Sequence, residues 1–278
     1  MTDSTSSVHG GPGASNEPGA SGEASAASSE RGHRPIVSFQ PRGGRMNDVQ
    51  KRAWEAYSER WLVERDQLSP AHPGRAAGLA APDSLPDSSL IGIDQMTLFG
   101  RVAPLVVEIG PGMGDATAAM ALVRPEINLL AIEVYKPGIA QTFSHLARLG
   151  VTNVRVLRAD AAEVMRNVVI PDSLAELWLF FPDPWRKRKH HKRRIVTPEF
   201  ADLVASRLQP GGSWYLATDW EHYARQMLKV VSSCEALSNP HAAAGGWAPR
   251  APFRPETRFE KRGLGAERAI FDLHVVRR

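Results

Sequence analysis

From Leu105 onward, short apolar runs alternate with stretches of helical periodicity, and this alternation constrains the fold more than any other feature of the chain. Repeated strand–helix units fold as a parallel sheet, because each crossover helix carries the chain back to the edge where the next strand begins. Strands are expected at 105–109, 128–132, 154–157, 177–181, 212–217 and within 269–276. Helices expected at 116–122, 137–149, 162–168, 198–208 and 221–231 would cover both faces, with Gly150 and Gly211 as helix stops.

The rest of the chain differs in composition. In 1–30, Gly, Ala, Ser and Pro fill 20 of 30 positions and Val8 is the only branched aliphatic residue. That is too little apolar surface to offset ordering entropy, so 1–33 is expected to be a disordered tail and 34–278 the folded domain. Val49, Trp54, Tyr57, Trp61 and Leu62 fall at helical spacing, with Asn47 or Asp48 available as a cap. The stretch 69–89 is again rich in Pro, Gly, Ala and Ser, as a loop or insertion would be. With 278 residues, 42% of them hydrophobic, the chain can bury one good core or two small ones. Cys234 is the only cysteine, which excludes an intrachain disulfide and a Cys-rich zinc site and suits a reducing cytoplasm. No apolar run approaches the roughly 18 residues of a membrane span, and no signal core stands at the N-terminus. A cytoplasmic protein without membrane or metal partners is expected.

The apolar run 177–181 leads into F-F-P-D-P-W (180–185) and then into R-K-R-K-H-H-K-R-R (186–194). Asp183 is thereby expected at the carboxyl end of a strand, where open α/β sheets bind ligands. The nine-residue run holds seven Lys/Arg and no acid in a chain whose net charge is only +4, which leaves the remainder at −3. Positive charge gathered beside one strand tip of an otherwise mildly acidic chain draws a polyanion to one pocket; a solvated basic loop is the plainer alternative. His190 and His191 are metal-ligand types, but a cation there would have to bind amid seven positive charges.

V-V-E-I-G-P-G-M-G-D follows the first apolar run, with Gly110, Gly112 and Gly114 in the turn that opens the next helix. Glycine there lets backbone amides approach a ligand and permits positive φ, although such turns also use glycine for structure alone. The spacing departs from the G-x-G-x-x-G of dinucleotide sites because Asp115 takes the place of the last glycine. An acid at a helix start repels a pyrophosphate. Glu133, 19 residues after Gly114, ends the second strand, where an acid can accept hydrogen bonds from both ribose hydroxyls. Asp160 ends the third, as an adenine contact or as a helix cap. With Glu108, three successive strand tips carry acids and outline a site for a nucleoside with a cationic appendage, which is what S-adenosylmethionine presents.

Taken together, E-I-G-P-G-M-G, A-I-E-V, R-A-D-A, F-F-P-D-P-W with the basic run ending K-R-R-I-V, L-A-T-D-W-E and E-T-R-F-E-K-R-G resemble the bacterial tRNA (guanine-N(7))-methyltransferase family, as does S-F-Q-P-R-G-G-R-M at 38–46. The blocks run in order across 34–278 and leave out the tail and 69–89. The resemblance implies a Rossmann-like class I methyltransferase fold, an α/β domain with a mostly parallel seven-stranded sheet and helices on both faces. It implies S-adenosylmethionine as cofactor and tRNA as substrate, methylated on ring nitrogen 7 of the guanine at variable-loop position 46. Glu108, Gly110, Gly112, Gly114, Glu133, Asp160 and Asp183 would line the cofactor site, with Asp183 the catalytic acid. Lys187, Asp219, Thr257, Arg258, Phe259 and Glu260 would contact substrate, and Lys189, His190, His191, Lys192, Arg193 and Arg194 would bind RNA. Arg186 departs from the family pattern, standing where many members carry His.

Guanine N7 already bears an in-plane lone pair, so its methylation needs no strong general base. It needs in-line alignment, which can supply up to roughly 7–11 kcal/mol. Asp183 could hold the base by an edge and favour the positive charge that the ring gains. Pro182 and Pro184 would stiffen its loop, and Trp185 has two readings, a platform under the base or an anchor in the core. A nicotinamide-dependent oxidoreductase would account only for the glycine turn and Glu133. A non-catalytic RNA-binding module would account only for the basic run.

Overall fold

The computed structural model describes residues 38–39, 43–63, 68–70, 91–256, 260 and 269–278, which belong to one compact unit spanning Ile36–Arg278. The expected tail, most of the 69–89 stretch, and Thr257, Arg258 and Phe259 lie outside the described residues. Helix α1 (Asp48–Trp61) begins at Asn47, whose side chain accepts from Gln50 N at 2.9 Å while Gln50 Oε1 accepts from Asn47 N at 3.0 Å. This reciprocal cap satisfies two amides that the helix start would otherwise leave open. Next come β1 (Leu62–Val63), β2 (Ser69–Pro70) and β3 (Ile91–Gly92), the last two forming a separate antiparallel ribbon, and then α2 (Gln95–Phe99).

The sequence then alternates as expected: β4 (Leu105–Ile109), α3 (Asp115–Val123), β5 (Asn128–Ile132), α4 (Lys136–Leu149), β6 (Val154–Leu157), α5 (Ala161–Asn167), β7 (Leu174–Phe180), α6 (Pro198–Arg207), β8 (Leu208–Thr218), α7 (Glu221–Ser233), β9 (Leu237–Ser238) and β10 (Phe271–Arg277). The strands pair in the order β1-β6-β5-β4-β7-β8-β10-β9, parallel from β1 through β8, with β10 antiparallel to both its neighbours. The six placed strands are β4 to β8 and β10; β9 completes the seven that the resemblance implies, and β1 adds an eighth by a two-residue pairing with β6.

Alternation along the strands builds a core on each face, because successive side chains point to opposite sides. Val107, Ile109, Leu130, Ile132, Leu177 and Leu179 pack with residues of α5, α6 and α7. Val106, Leu129, Ala131 and Trp178 pack on the other face with α1, α3 and α4. Phe143 of α4 meets Trp54 and Trp61 of α1 at ring separations of 5.9 and 6.1 Å, which fixes α1 to that face.

Gly150 caps α4 in the left-handed region at φ 68°. Gly211 does not stop a helix: α6 ends at Arg207, and Gly211, at φ 78°, sits inside β8. Between the pairs Leu174↔Leu208 and Glu176↔Ser213, one residue of β7 faces four of β8. Gly211 serves the bulge that absorbs the excess.

Candidate active site

The chain runs outward from β4 through β5 to β6, then returns to β7 on the other side of β4 and continues to β8. The crevice between β4 and β7 is therefore the point where the winding reverses, the place where such sheets bind ligands. At the carboxyl rim this order sets Asp160, Glu133, the Gly110–Gly114 turn, Asp183 and Asp219 in one row, each following the strand that carries it. Residues far apart in sequence thus meet along a single edge.

The glycine turn is held from two sides. Gly110 N donates to Ile132 O at 2.9 Å and Gly112 N to Glu133 Oε2 at 3.1 Å, tying the turn to the end of β5. On the other side α4 presses against it: a Cβ on Gly138 would lie 2.2 Å from Gly112 O, and one on Gly114 2.1 Å from Thr142 Oγ1. Gly138 and Thr142 were not among the expected site residues. A glycine inside the first turn of an otherwise good helix was the available signal, since it costs stability unless a close approach needs it.

Glu133 Oε1 accepts from the amides of Val134 and Tyr135 at 2.7 and 2.9 Å. With Gly112 N on Oε2, three of a carboxylate's roughly four acceptor positions are filled, leaving room for one ribose hydroxyl rather than two. Asp160 caps α5 through Oδ1, which accepts from Ala162 N at 2.8 Å. Among the described residues Oδ2 has no hydrogen-bond partner, so the cap leaves an oxygen for a ligand. Glu108 is buried, and burial pushes its carboxyl up to about 7. Neither Glu108 Oε2 nor the buried Thr117 hydroxyl completes a hydrogen bond among the described residues. A buried carboxylate oxygen without a donor is costly unless something supplies one.

Asp183 occupies a strained loop. Phe181 and Trp185, which flank Pro-Asp-Pro, have φ of 53° and 44°, a region that costs non-glycine residues of order 1–3 kcal/mol each. The strain is held by neighbours. Phe181 N donates to Ala217 O at 2.8 Å, and the Arg254 guanidinium lies 5.3 and 5.5 Å from the rings of Phe180 and Phe181. Arg254 in turn pairs with Glu260 at 2.6 Å and with both oxygens of Asp272 at 2.7 and 3.0 Å. Glu260, expected as a substrate contact, is fully buried and held in this network.

The basic run folds into a 3₁₀ helix, Arg188–Arg193. Lys187, Arg188, Lys189 and Lys192 are exposed, and His190, His191 and Arg193 are partly covered. Partial burial and the surrounding cations hold both imidazoles below the usual histidine range. Arg193 stacks over Trp185 at 4.8 Å and Arg186 over Trp220 at 4.6 Å. Arg194 departs from the expectation that it binds RNA. Only 2% exposed, it donates from Nε to Pro184 O and from Nη1 to Gln226 Oε1, at 2.9 and 2.6 Å, and so braces the Asp183 loop from inside. Among the described residues, no group of three or more His, Cys, Asp or Glu converges to hold a metal ion, and no helix is long and apolar enough to cross a membrane.

The sheet order, the glycine turn at the switch point and the acidic rim define a class I methyltransferase. The family model "Putative methyltransferase" matches residues 102–273. A relative from Nocardioides sp. named tRNA (guanine-N(7)-)-methyltransferase is 45% identical over 245 residues, covering 88% of each chain. Relatives of the same name from Cutibacterium acnes and Paraburkholderia xenovorans are 45% and 39% identical, covering 92% and 86% of this chain and 90% and 82% of their own. The chain belongs to the tRNA (guanine-N(7)-)-methyltransferase family.

Proposed function

We propose that this protein transfers a methyl group from S-adenosylmethionine to ring nitrogen 7 of guanine in tRNA, at variable-loop position 46, in the cytoplasm. The observation that carries the reading is one junction. A carboxylate on a strained, braced loop at the sheet's switch point runs straight into a cationic 3₁₀ helix. The names of the relatives agree with it.

The residues fit the cofactor. Glu133 retains an acceptor position for a ribose hydroxyl, Asp160 Oδ2 is open to an adenine amine, and the buried Glu108 oxygen lacks a donor or cation. Bound S-adenosylmethionine supplies an electrophilic methyl on a positive sulfonium. Asp183 orients the guanine edge and favours the ring as it becomes positive, while the tight loop keeps that carboxylate from swinging away. Lys187, Lys189, Lys192 and Arg193 hold the phosphates, and Asp219, at the next tip, borders the base. Because guanine in an RNA helix hides its major-groove edge in a narrow cleft, the substrate is a distorted or accessible base.

Unmodified tRNA incubated with the purified protein and S-adenosylmethionine, then digested for nucleoside mass spectrometry, tests the reading. It should yield 7-methylguanosine, and none from tRNA in which guanine 46 is replaced by adenine. Methyl transfer to another nucleotide, or none with a folded protein, would overturn it.

A further inference from the structure

Arg60, Arg101 and Arg155 surround a space of about 250 Å³ together with Phe99, Thr152 and Asn153. Arg60 precedes β1, Arg155 is the second residue of β6, and Arg101 is tied to Asn128, the first residue of β5. This is the amino-terminal rim of the parallel sheet, opposite the rim that carries Asp160, Glu133 and Asp183.

Each guanidinium is positioned by neutral groups. Arg101 donates from Nε to Asn128 Oδ1 at 2.9 Å and from Nη2 to the carbonyls of Pro125 and Ile127 at 2.6 and 2.7 Å. Arg155 donates from Nη1 to Thr152 O and Val154 O at 3.1 and 2.8 Å and lies 5.3 Å over Phe99. Arg60 lies 4.7 Å over Trp61. Among the described residues none of the three forms a salt bridge, and no acid lines the space; Glu126, whose carboxyl feels Arg101, is already bound by Arg124. Burial and the charge of Arg60 together hold the Arg155 pKa below its usual value, a repulsion that an anion would relieve.

We propose that Arg60, Arg101 and Arg155 form a second anion site, for a phosphate group, on the rim opposite the methyl-transfer site. Arginines that merely fasten loops need one or two carbonyl partners. Among the described residues Arg101 Nη1, Arg155 Nη2 and the Arg60 guanidinium have no hydrogen-bond partner, and the three side chains line one space. A tetrahedral phosphate accepts from three directions at once, which a planar carboxylate does not. The phosphate can come from an RNA backbone or from a free phosphate-bearing metabolite.

Calorimetric titration of inorganic phosphate into the full chain tests this, in a Lys189→Ala, Lys192→Ala, Arg193→Ala background that removes the basic run as a competing site. Phosphate should bind at one site, weakened roughly tenfold or more by adding Arg60→Gln or Arg155→Gln and largely restored by Arg60→Lys. Arg60 is exposed, so Arg60→Gln should melt as its parent does. A salt titration of tRNA binding identifies the source: a slope flattened by nearly one with Arg60→Gln assigns an RNA phosphate, and an unchanged slope with phosphate binding lost assigns a small ligand. No phosphate binding, or binding that Arg60→Gln and Arg155→Gln leave intact, overturns the site.

Discussion

The indole N–H of Trp185 donates to the carbonyl of Ser38 at 3.0 Å, joining the Asp183 loop to chain 147 residues earlier. Trp185 is only 7% exposed, which favours the anchor over the base platform. The bond also holds a residue at positive φ, so the segment around Ser38 is part of what keeps Asp183 aimed. A chain beginning at Arg34 should match the full-length rate at saturating tRNA. One beginning at Gly43 should keep its cofactor affinity and lose rate by about tenfold, the scale of one net hydrogen bond. Full turnover by the shorter chain would separate the anchor from catalysis.

Asp183 and Glu133 should fail in different ways. Asp183 follows β7 on a loop held by Phe181, Trp185 and Arg194, so Asp183→Ala should melt near the wild-type temperature. Its turnover should fall by about 10²- to 10³-fold, the usual cost of losing one preorganised charge-stabilising group. Glu133→Ala should chiefly weaken S-adenosylmethionine binding, because Glu133 shapes the glycine turn. Near-normal turnover by folded Asp183→Ala would remove it from the chemistry.

Legibility in the sequence followed how local the cause was. β4, β5 and β6 fall at their expected limits because strands covered on both faces read as unbroken apolar runs. β1 and β9, of two residues each, are too short to show any period. The start of β8 was misread because its register shift depends on pairing with β7. The acidic tips were readable from motif and spacing. The contact of Gly138 with the glycine turn was not, since it is made by α4 packing. Nor does a run of seven like charges reveal which one turns inward; Arg194 does so because Pro184 and Gln226 wait there.

Glu108 should make both stability and cofactor binding depend on pH. Its carboxyl is raised from 4.5 to about 7 in the folded chain, so between these values the native state binds the proton more tightly than the unfolded state. Stability should therefore fall as pH rises from 4.5 to 7, by on the order of 3 kcal/mol, and level off above. Glu108→Gln should flatten this profile in melts without cofactor. Binding of the cationic cofactor favours the ionised form, so its affinity should drop below pH 7 in the wild type only. Parallel melting profiles for the two proteins would assign the pH dependence elsewhere.

The basic run should divide into phosphate contacts and a brace. Replacing Lys189, Lys192 and Arg193 by Ala should flatten the salt dependence of tRNA binding by roughly 0.7 to 0.9 per contact and leave cofactor affinity alone. Arg194→Gln should leave that slope unchanged and destabilise the fold by about 2 kcal/mol or more, since it removes buried charge-assisted hydrogen bonds. A flattened slope in Arg194→Gln, at wild-type stability, would return this residue to the RNA surface.

The acceptor atom can be tested apart from the protein. The proposed roles of Asp183 and Asp219 at the base edge ask no proton abstraction of either, which suits an acceptor that is already nucleophilic. Ring nitrogen 7 is such an acceptor; the exocyclic amine and the pairing-edge nitrogen must lose a proton on methylation. Replacing the target guanosine by its 7-deaza analogue keeps the shape and pairing edge but puts carbon at the acceptor position. Binding to the protein should stay close to normal, because phosphate contacts dominate affinity, while methyl transfer at that nucleotide should vanish. Loss of binding together with transfer would mean that the enzyme reads nitrogen 7 before reaction. Continued methylation of the same 7-deaza nucleotide would show that the methyl goes to a different atom, and the lone-pair argument for Asp183 as an orienting, non-abstracting carboxylate would fail with it.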